Sequence, residues 1–241
     1  SSDVCSSDLA ELADGRRAFC IVDAPVADRV PDVGPVHVLP GGEQVKHVSH
    51  LEALWRAFAV AELERRDLVV AVGGGAVTDV AGFAAATFRR GLDWVSCPTT
   101  LVGQVDAGMG GKTGIDVAAK NDVGAFHPPV GVLSDPAWLS TLPRRELASG
   151  LGEVLKYGLL RPEMLPGNDG ANINGPSLIR APSWLANRLG TYYLYFAHHG
   201  GKYIRLAYAN QFEGPWKVYK AGTLQLKQAP GCTGHIASPD V

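Results

Sequence analysis

Three consecutive glycines, Gly73 to Gly75, follow a short apolar run and precede a stretch of small residues. Glycines let a backbone approach a ligand closely, and the first N–H groups of a helix after such a turn can bind phosphate. Asp79 lies one turn further on among apolar residues, where an ionised carboxylate is costly to bury without a partner. These residues could hold a phosphorylated ligand, although a tight turn and a helix-capping acid would produce the same pattern.

The segments around the glycines alternate between apolar strands and amphipathic or small-residue helices. Strands are predicted at residues 18–23, 36–39, 67–72, 94–97 and 131–135, and helices at residues 51–58, 76–88 and 144–157. In the first helix, apolar residues recur at the i, i+3, i+4 and i+7 spacing of one buried stripe. Strand, glycine turn, helix and strand in this order are typical of an α/β domain with a Rossmann-like, mainly parallel sheet.

The composition changes after residue 160. Residues 161–171 are rich in proline and glycine, which predicts a junction. Aromatic residues then alternate in residues 192–199, 203–209 and 216–219, which predicts strands joined by a hairpin turn at Gly200 and Gly201. The predicted organisation is an artefactual or disordered start at 1–9, a Rossmann-like domain at 10–160, the junction at 161–171 and a β-rich segment at 172–241.

The bulk composition is that of an ordinary globular protein, with 46% hydrophobic and 19% charged residues. A net charge of -2 gives no electrostatic reason to expect a nucleic acid or an anionic membrane as a partner. The longest apolar stretch, residues 68–88, is interrupted by three glycines and by Asp79, so no bilayer-spanning segment is predicted. The four cysteines form no CxxC pair and no secretory leader is visible, so we expect a cytoplasmic protein.

Four long motifs occur in order between residues 18 and 160: GGGAVTDVAGFAAATFRRG, CPTTLVGQVDAGMGGKTGID, KNDVGAFHPP and LSTLPRRELASGLGEVLKYG. Together they resemble the 3-dehydroquinate synthases, which are sugar-phosphate cyclases. The resemblance implies an N-terminal Rossmann-like domain that binds NAD, a helical domain after it, and an active site in the cleft between them. It also implies conversion of 3-deoxy-D-arabino-heptulosonate 7-phosphate to 3-dehydroquinate with loss of phosphate, in the shikimate pathway, by an enzyme that commonly forms homodimers.

The resemblance also implies roles for individual residues. The residues at the NAD would be Asp23, Glu43, Lys46, Gly74, Gly75, Asp79, Thr99, Thr100, Lys112, Lys120, Leu139 and Thr141. The residues at the reacting groups would be Asp106, Lys112, Asn121 and Lys156, and Glu153 would be a ligand of a divalent metal, zinc or cobalt. Lysines suit a phosphorylated sugar-acid substrate as point charges. Without the motifs, Glu153 and Lys156 would be interpreted as a solvated pair on one helix face, and Lys112 as a solvated loop residue.

Some residues depart from the pattern of the family that the chain resembles. Thr78 stands where glycine is usual, Asp116 where asparagine is usual, and Asp122 where an apolar residue is usual, so we expect less than optimal activity. Two metal-binding histidines are expected from a helical domain after residue 160, and the pattern of that domain does not follow. Because a catalytic zinc needs about three protein ligands, the metal site is expected to be incomplete and this chain inactive.

Residues 172–241 resemble a different family. The segments NINGPSLIRAP, YYLYFAHHGGKYIRLAYA, FEGPW and GHIASPDV are similar to the opening blade of a five-bladed β-propeller of the glycoside hydrolase family 43 type. His198 and His199 could bind a metal, but a polar strand end explains them as well. Three hypotheses stay open: an incomplete NAD-dependent cyclase, or a glycerol-dehydrogenase-like enzyme of the same general fold; a glycoside-binding or glycoside-cleaving propeller fragment; and a chimeric reading frame without function.

Overall fold

The computed structural model of the chain describes residues 6–30, 33–158, 162–165, 173–198 and 201–229. The chain divides into two compact units, Ser1–Leu142 and Pro143–Val241. The first contains a parallel sheet with helices, and the second an antiparallel sheet with one long helix. Among the described helices, none combines the length and the apolar composition that crossing a membrane requires.

The first unit is an α/β structure with a five-stranded parallel sheet. Its elements are α1 (Ser6–Ala13), β1 (Ala18–Asp23), β2 (Val36–Leu39), α2 (Val48–Val60), β3 (Leu68–Gly73), α3 (Gly75–Thr87), β4 (Asp93–Pro98), β5 (Lys112–Ile115), β6 (Val123–Phe126) and β7 (Gly131–Val132). The strand order is β2-β1-β3-β4-β7, and every pairing is parallel. Strands β1 and β3 are continuous apolar runs, as strands covered on both faces are. The predicted Rossmann-like, mainly parallel sheet is confirmed.

Alternate residues of the central strands contribute to two separate cores. Phe19 of β1 packs with α2 and α3, whereas its neighbour Cys20 packs on the other face with Leu9 of α1. Phe58 ends the predicted apolar stripe of α2 and is fully buried. Its ring makes edge-to-face contacts with Phe19 and Phe88, at centroid distances of 5.1 and 5.3 Å. Both cores hold β1 and β3 side by side, so that their carboxyl ends meet at one edge of the sheet.

The start of the chain differs from its prediction. Residues 1–9 were expected outside the fold, but α1 begins at Ser6 and Leu9 is only 2% exposed. Leu12 of the same helix packs on β7, where a Cβ added to Gly131 would lie 2.7 Å from Leu12 Cδ1. Leu9 and Leu12 are three residues apart and therefore share the buried face of the helix. Residues 6–9 belong to the fold, and residues 1–5 lie outside the described part of the chain.

Strands β5 and β6 form an antiparallel hairpin that the sequence pattern does not predict. The hairpin packs closely on α3 at Gly82. A Cβ added there would lie 2.5 Å from Thr113 Cγ2 and 2.9 Å from Trp94 Cζ2. The Thr113 hydroxyl donates to the carbonyl of Ala125 at 2.8 Å and links the two strands. The missing side chain at Gly82 therefore allows β5, which begins at Lys112, to lie against the helix.

The second unit is a helix packed on an antiparallel sheet. Its long elements are α4 (Arg144–Gly158), β8 (Asn174–Arg180), β9 (Tyr192–Ala197), β10 (Tyr203–Ala209) and β11 (Lys217–Gln225). The strand order is β11-β10-β9-β8, so that strands consecutive in sequence are neighbours in the sheet. The strands predicted at residues 192–199, 203–209 and 216–219 are present, and β8 was not predicted. The predicted turn at Gly200 lies outside the described residues.

Helix α4 belongs to the second unit. Leu155 packs with Leu194 and Phe196 of the sheet. A Cβ added to Gly152 would lie 3.2 Å from the carbonyl oxygen of Pro176, which shows how closely α4 and β8 approach. The sequence pattern instead predicts this helix in a domain at 10–160, because a helix pattern alone does not indicate which sheet covers its apolar face. The other predicted limits, 161–171 and 172–241, stay predictions.

Candidate functional site

A glycine turn at the carboxyl end of β3 leads directly into α3. Gly74 is the N-cap residue and provides no side-chain cap to the first N–H groups of the helix. A Cβ added to Gly74 would lie 3.1 Å from Thr100 Cγ2, and one added to Gly75 would lie 3.0 Å from Ala107 Cβ. The N–H of Thr99 donates to the carbonyl of Gly73 at 2.9 Å. Glycine at these positions therefore lets the segment after β4 lie close to an uncapped helix N-terminus.

Asp23 lies beside this turn, at the carboxyl end of β1. A Cβ added to Gly73 would lie 2.9 Å from Asp23 Cβ, and one added to Gly41 would collide with Asp23 Oδ1. Burial raises the pKa of Asp23, and the N–H groups of Gly74 and Ala24 oppose that rise. Oδ1 is buried, and no residue in the described part of the chain donates a hydrogen bond to it. Glycine at positions 41 and 73 therefore lets the backbone pack closely around Asp23, whose Oδ1 has no hydrogen-bond donor among the described residues.

Lys46 is a buried cation at the centre of a polar cluster. It ends the 3₁₀-helix Glu43–Lys46 and is 4% exposed. Its Nζ lies 2.6 Å from Asp79 Oδ2 and donates to Asn121 Oδ1 at 2.6 Å. Glu43 Oε1 is 3.7 Å from Lys46 Nζ and 2.9 Å from Lys120 Nζ. Five residues from three separate segments of the sequence are therefore connected through one ammonium group and one exposed carboxylate.

Burial raises the pKa of Asp79, and the neighbouring ammonium of Lys46 opposes this rise without cancelling it. The side chain of Asp79 is 18% exposed and that of Lys46 is 5% exposed. A carboxylate placed so deep in a helix start is stable only because its cation is at hydrogen-bond distance. Asp79 therefore does not cap α3, which was the simpler interpretation; it anchors the Lys46 segment to the helix.

A cavity of about 490 Å³ lies next to this cluster. Four predicted site residues line it: Asp79, Asp106, Lys112 and Asn121. Asp106 is part of a π-helical turn, Gly103–Ala107, of a kind that often occurs at functional sites. The remaining wall is the hairpin, through Thr113, Gly114, Gly124, Ala125 and Phe126. These hairpin residues were not predicted, because two four-residue strands that each contain a glycine show too little alternation of apolar and polar residues.

Other residues predicted to bind the cofactor have structural contacts of their own. Thr99 is buried, and the hydroxyl of Thr100 accepts from the N–H of Gly103 at 3.1 Å. Leu139 and Thr141 belong to the 3₁₀-helix Pro136–Thr141. The Thr141 hydroxyl donates to the carbonyl of Trp138 at 2.7 Å. Leu139 and Thr141 are not among the residues that line the cavity, and their cofactor role stays a prediction.

The predicted metal ligand lies in the second unit. Glu153 is half-buried on α4, and the side chain of Lys156 lies outside what the structure describes. Within the described residues, no group of three or more His, Cys, Asp or Glu side chains is placed to hold a metal ion. His198 is described and His199 is not. The donor set available among these residues does not fit a catalytic zinc or cobalt ion.

A second cleft, of about 950 Å³, lies where β1 and β3 begin, at the opposite edge of the sheet. Two of its arginines form ion pairs with acids. Arg16 Nη1 lies 2.9 Å from Asp93 Oδ2, and Arg17 Nη2 lies 2.5 Å from Asp67 Oδ2. None of the predicted site residues lines this cleft. The carboxyl edge, where ligands of parallel α/β sheets bind, is therefore the candidate site.

Part of the chain is similar to known proteins. Residues 36–149 match the family model described as 3-dehydroquinate synthase N-terminal. A 3-dehydroquinate synthase from Cutibacterium acnes is 45% identical over 163 residues, which are 66% of this chain and 45% of that protein. The chain thus spans about half the length of the curated relatives that it matches.

Two solved structures of sugar cyclases are similar to the chain. One is ValA, a 2-epi-5-epi-valiolone synthase from Streptomyces hygroscopicus subsp. jinggangensis 5008 with NAD+ and Zn2+ bound. It matches with a TM-score of 0.57 and 34% identity, over 64% of this chain and 47% of that one. The other is 2-deoxy-scyllo-inosose synthase complexed with carbaglucose-6-phosphate, NAD+ and Co2+. It matches with a TM-score of 0.56 and 28% identity, over 66% of this chain and 50% of that one.

Proposed function

We propose that the first unit is the NAD-binding part of a 3-dehydroquinate synthase-like enzyme, which converts 3-deoxy-D-arabino-heptulosonate 7-phosphate to 3-dehydroquinate with loss of phosphate. The observation that carries the proposal is the buried Oδ1 of Asp23, which has no donor among the described residues and lies beside the glycine turn. The match of residues 36–149 to the N-terminal family model supports it. Bound NAD+ in the two similar cyclase structures supports the choice of cofactor.

The carboxyl edge offers what a dinucleotide requires. A carboxylate at the end of a strand can accept hydrogen bonds from ribose hydroxyls, and Asp23 has one oxygen available for them. The N-terminus of α3 has no side-chain cap from Gly74 and suits a pyrophosphate, because the first N–H groups of a helix and the helix dipole both favour negative charge. Gly41 and Gly73 let the backbone pack closely against the Asp23 carboxylate, beside the glycine turn. The residues therefore fit NAD.

The adjoining cavity suits a phosphorylated, polyhydroxylated acid. Lys112 brings a positive charge to the cavity wall as a point charge for phosphate or carboxylate. Asp106 and Asn121 line the same wall and can form hydrogen bonds with hydroxyl groups. Bound NAD supplies a reversible hydride acceptor for an alcohol carbon. In the proposed reaction, these residues orient the substrate and balance its charge.

The described residues do not complete the metal site. Glu153 is a single carboxylate, whereas a catalytic zinc requires about three protein ligands. We expect NAD binding without turnover when the chain is supplied with Zn2+ or Co2+ and substrate, and phosphate release above the background rate would contradict this expectation.

Calorimetric titration of the full chain with NAD+ tests the proposal. The wild-type protein should show saturable binding, and Asp23→Ala should raise the dissociation constant about tenfold, because a hydrogen bond to a charged group is lost. Asp28→Ala is the matched control, since Asp28 is an exposed aspartate of the neighbouring 3₁₀-helix. If circular dichroism shows that the protein is folded and the titration yields no binding heat, the proposal is wrong.

A second candidate concerns the other unit. Strands β8 to β11 are sequential neighbours in one four-stranded antiparallel sheet, which is the architecture of a propeller blade. The second candidate is a glycoside-binding or glycoside-cleaving propeller fragment, as the sequence resemblance of residues 172–241 implies. Glycoside cleavage needs a pair of carboxylates, and Glu213 is the one acidic residue in the described parts of residues 173–229. Screening the full chain against immobilised glycans tests this candidate, and a lack of glycan retention would exclude it.

The partners implied by the resemblance stay predictions. They are a phosphorylated sugar acid and a second copy of the chain, with neither nucleic acid nor a membrane expected. Light scattering coupled to size exclusion would measure the molar mass of the particle in solution. A mass equal to that of one 25.5 kDa chain would contradict the expected homodimer.

A further inference from the structure

The loop between β5 and β6 is organised by two aspartates. The carboxylate of Asp122 accepts hydrogen bonds from the three consecutive N–H groups of residues 117–119, at 2.8, 2.9 and 3.1 Å. Asp116 Oδ1 accepts from the N–H of Asn121 at 2.6 Å. A short loop without regular structure thereby has four of its backbone donors satisfied by its own side chains. Charge-assisted hydrogen bonds of this kind are about twice as strong as neutral ones.

The same loop carries two residues of the candidate site. Asn121 has a left-handed backbone, with φ of 56°, and its Oδ1 accepts from the buried Lys46 at 2.6 Å. Lys120 Nζ lies 2.9 Å from Glu43 Oε1. The N–H of Asp116 donates to the carbonyl of Lys46 at 3.0 Å. The loop therefore contacts the Lys46 segment through both its backbone and its side chains.

We propose that Asp122 is a positioning residue that orders residues 117–119 and thereby holds Asn121 and Lys120 against the Lys46 segment. The inference rests on the proposed function of this site in NAD binding. Asp122 directly follows Asn121 but does not line the cavity, so its effect passes through the loop. The N–H groups of Ala118 and Val117 hold the pKa of Asp122 below its usual range, which keeps the acceptor charged. The departure from the family pattern at Asp122 predicts lower activity, whereas the role proposed for Asp122 is to stabilise the site.

Two measurements on the full chain test the role of Asp122. The first is amide hydrogen exchange of residues 117–119, followed by NMR without ligand. Exchange at these amides should accelerate about tenfold or more in Asp122→Ala, because their acceptor is lost. Asp122→Asn keeps one acceptor oxygen and should restore part of the protection. Asp28→Ala, a change of the same type on an exposed aspartate, should leave these amides unchanged.

The second measurement is the NAD+ dissociation constant of the same variants. We expect an increase of about tenfold for Asp122→Ala, of about threefold or less for Asp122→Asn, and none for Asp28→Ala. The thermal midpoint should stay within about 2 °C of wild type, since the loop is exposed. This rescue pattern separates positioning from a general loss of stability.

Each outcome of these two measurements supports or contradicts one part of the proposal. Unchanged exchange at residues 117–119 in Asp122→Ala would overturn the ordering role. Accelerated exchange with unchanged NAD+ affinity would overturn the link to the site. If wild-type protein binds no NAD+, the proposed function fails and the link to NAD fails with it, while the exchange rates still decide whether Asp122 orders the loop.

Discussion

Replacing Lys46 by methionine tests the central ion pair of the candidate site. The change removes the ammonium that lies 2.6 Å from Asp79 Oδ2 and 2.6 Å from Asn121 Oδ1, while an unbranched chain continues to fill the space. Breaking a buried ion pair by removing one partner costs about 3–5 kcal/mol. Asp79 keeps 18% exposure, so water offsets part of that cost. We expect a loss of about 2–3 kcal/mol in the free energy of unfolding at pH 8.

The loss should depend on pH in a direction that the structure determines. Burial already raises the pKa of Asp79 above its value of 3.8 in an unfolded chain, and Lys46 limits that rise. Without Lys46, the pKa in the folded state rises further. A folded state that binds a proton more tightly than the unfolded chain loses stability as pH rises from 3.8 through the raised pKa. The variant should therefore lose more stability at pH 8 than at pH 5, where Asp79 is closer to neutral.

Urea unfolding at pH 5, 6.5 and 8 provides the assay, and two further variants sharpen it. The double variant Lys46→Met with Asp79→Asn removes the buried charge, so it should recover most of the loss and its pH dependence. Lys120→Met breaks the exposed pair with Glu43, where the lysine is 68% exposed, and should change stability by less than about 1 kcal/mol. Equal losses for Lys46→Met at pH 5 and pH 8, or no recovery in the double variant, would refute this account of the pair.

Three further predictions follow from burial and close packing. Phe58→Ala should lower the free energy of unfolding by about 3–5 kcal/mol, because Phe58 is fully buried. Val60 is exposed, so Val60→Ala should change that free energy by less than about 0.5 kcal/mol. Equal effects of the two substitutions in thermal denaturation would contradict this prediction. Gly82→Val should destabilise by about 1–3 kcal/mol, since even a Cβ meets Thr113 and Trp94. Gly110→Ala should be tolerated, because a Cβ there meets only Lys112 Cγ, at an ordinary contact distance of 4.0 Å. NAD+ affinity should fall as pH drops through the raised pKa of Asp23. Asp23→Asn should bind NAD+ more weakly and without that pH dependence. The same dependence of affinity on pH in the variant as in wild type would count against a hydrogen bond from the ribose to Asp23.

The parallel sheet could be predicted because its strands are apolar runs that end in turn-forming residues. Strands β1 and β3 are buried on both faces, and their hydrophobic signal does not depend on the rest of the fold. The β5–β6 hairpin could not be predicted in this way. Its strands contain Gly114 and Gly124, and Thr113 packs against Gly82 of α3, a contact between distant segments that no local pattern shows.

The residue types of the candidate site could be predicted from the sequence, but most contacts between their side chains could not. The motifs bring together Asp79, Asp106 and Lys112, which line one cavity. The direct contact of Lys46 with Asp79 could not be predicted, because it depends on how the segment before α2 packs against α3. The ordering role inferred for Asp122 also depends on three-dimensional structure, since the sequence shows only an acid in place of an apolar residue.

The most direct test of a dinucleotide site at the carboxyl edge is an NAD+ titration of 15N-labelled full-length chain, followed by amide NMR. We expect saturable shifts of the amides of Gly74, Gly75 and Ala76, where α3 begins, and of residues next to Asp23. Amides around Arg17 and Asp67, in the cleft at the opposite edge, should stay unchanged. Shifts confined to that opposite cleft, or none at all in folded protein, would contradict the account.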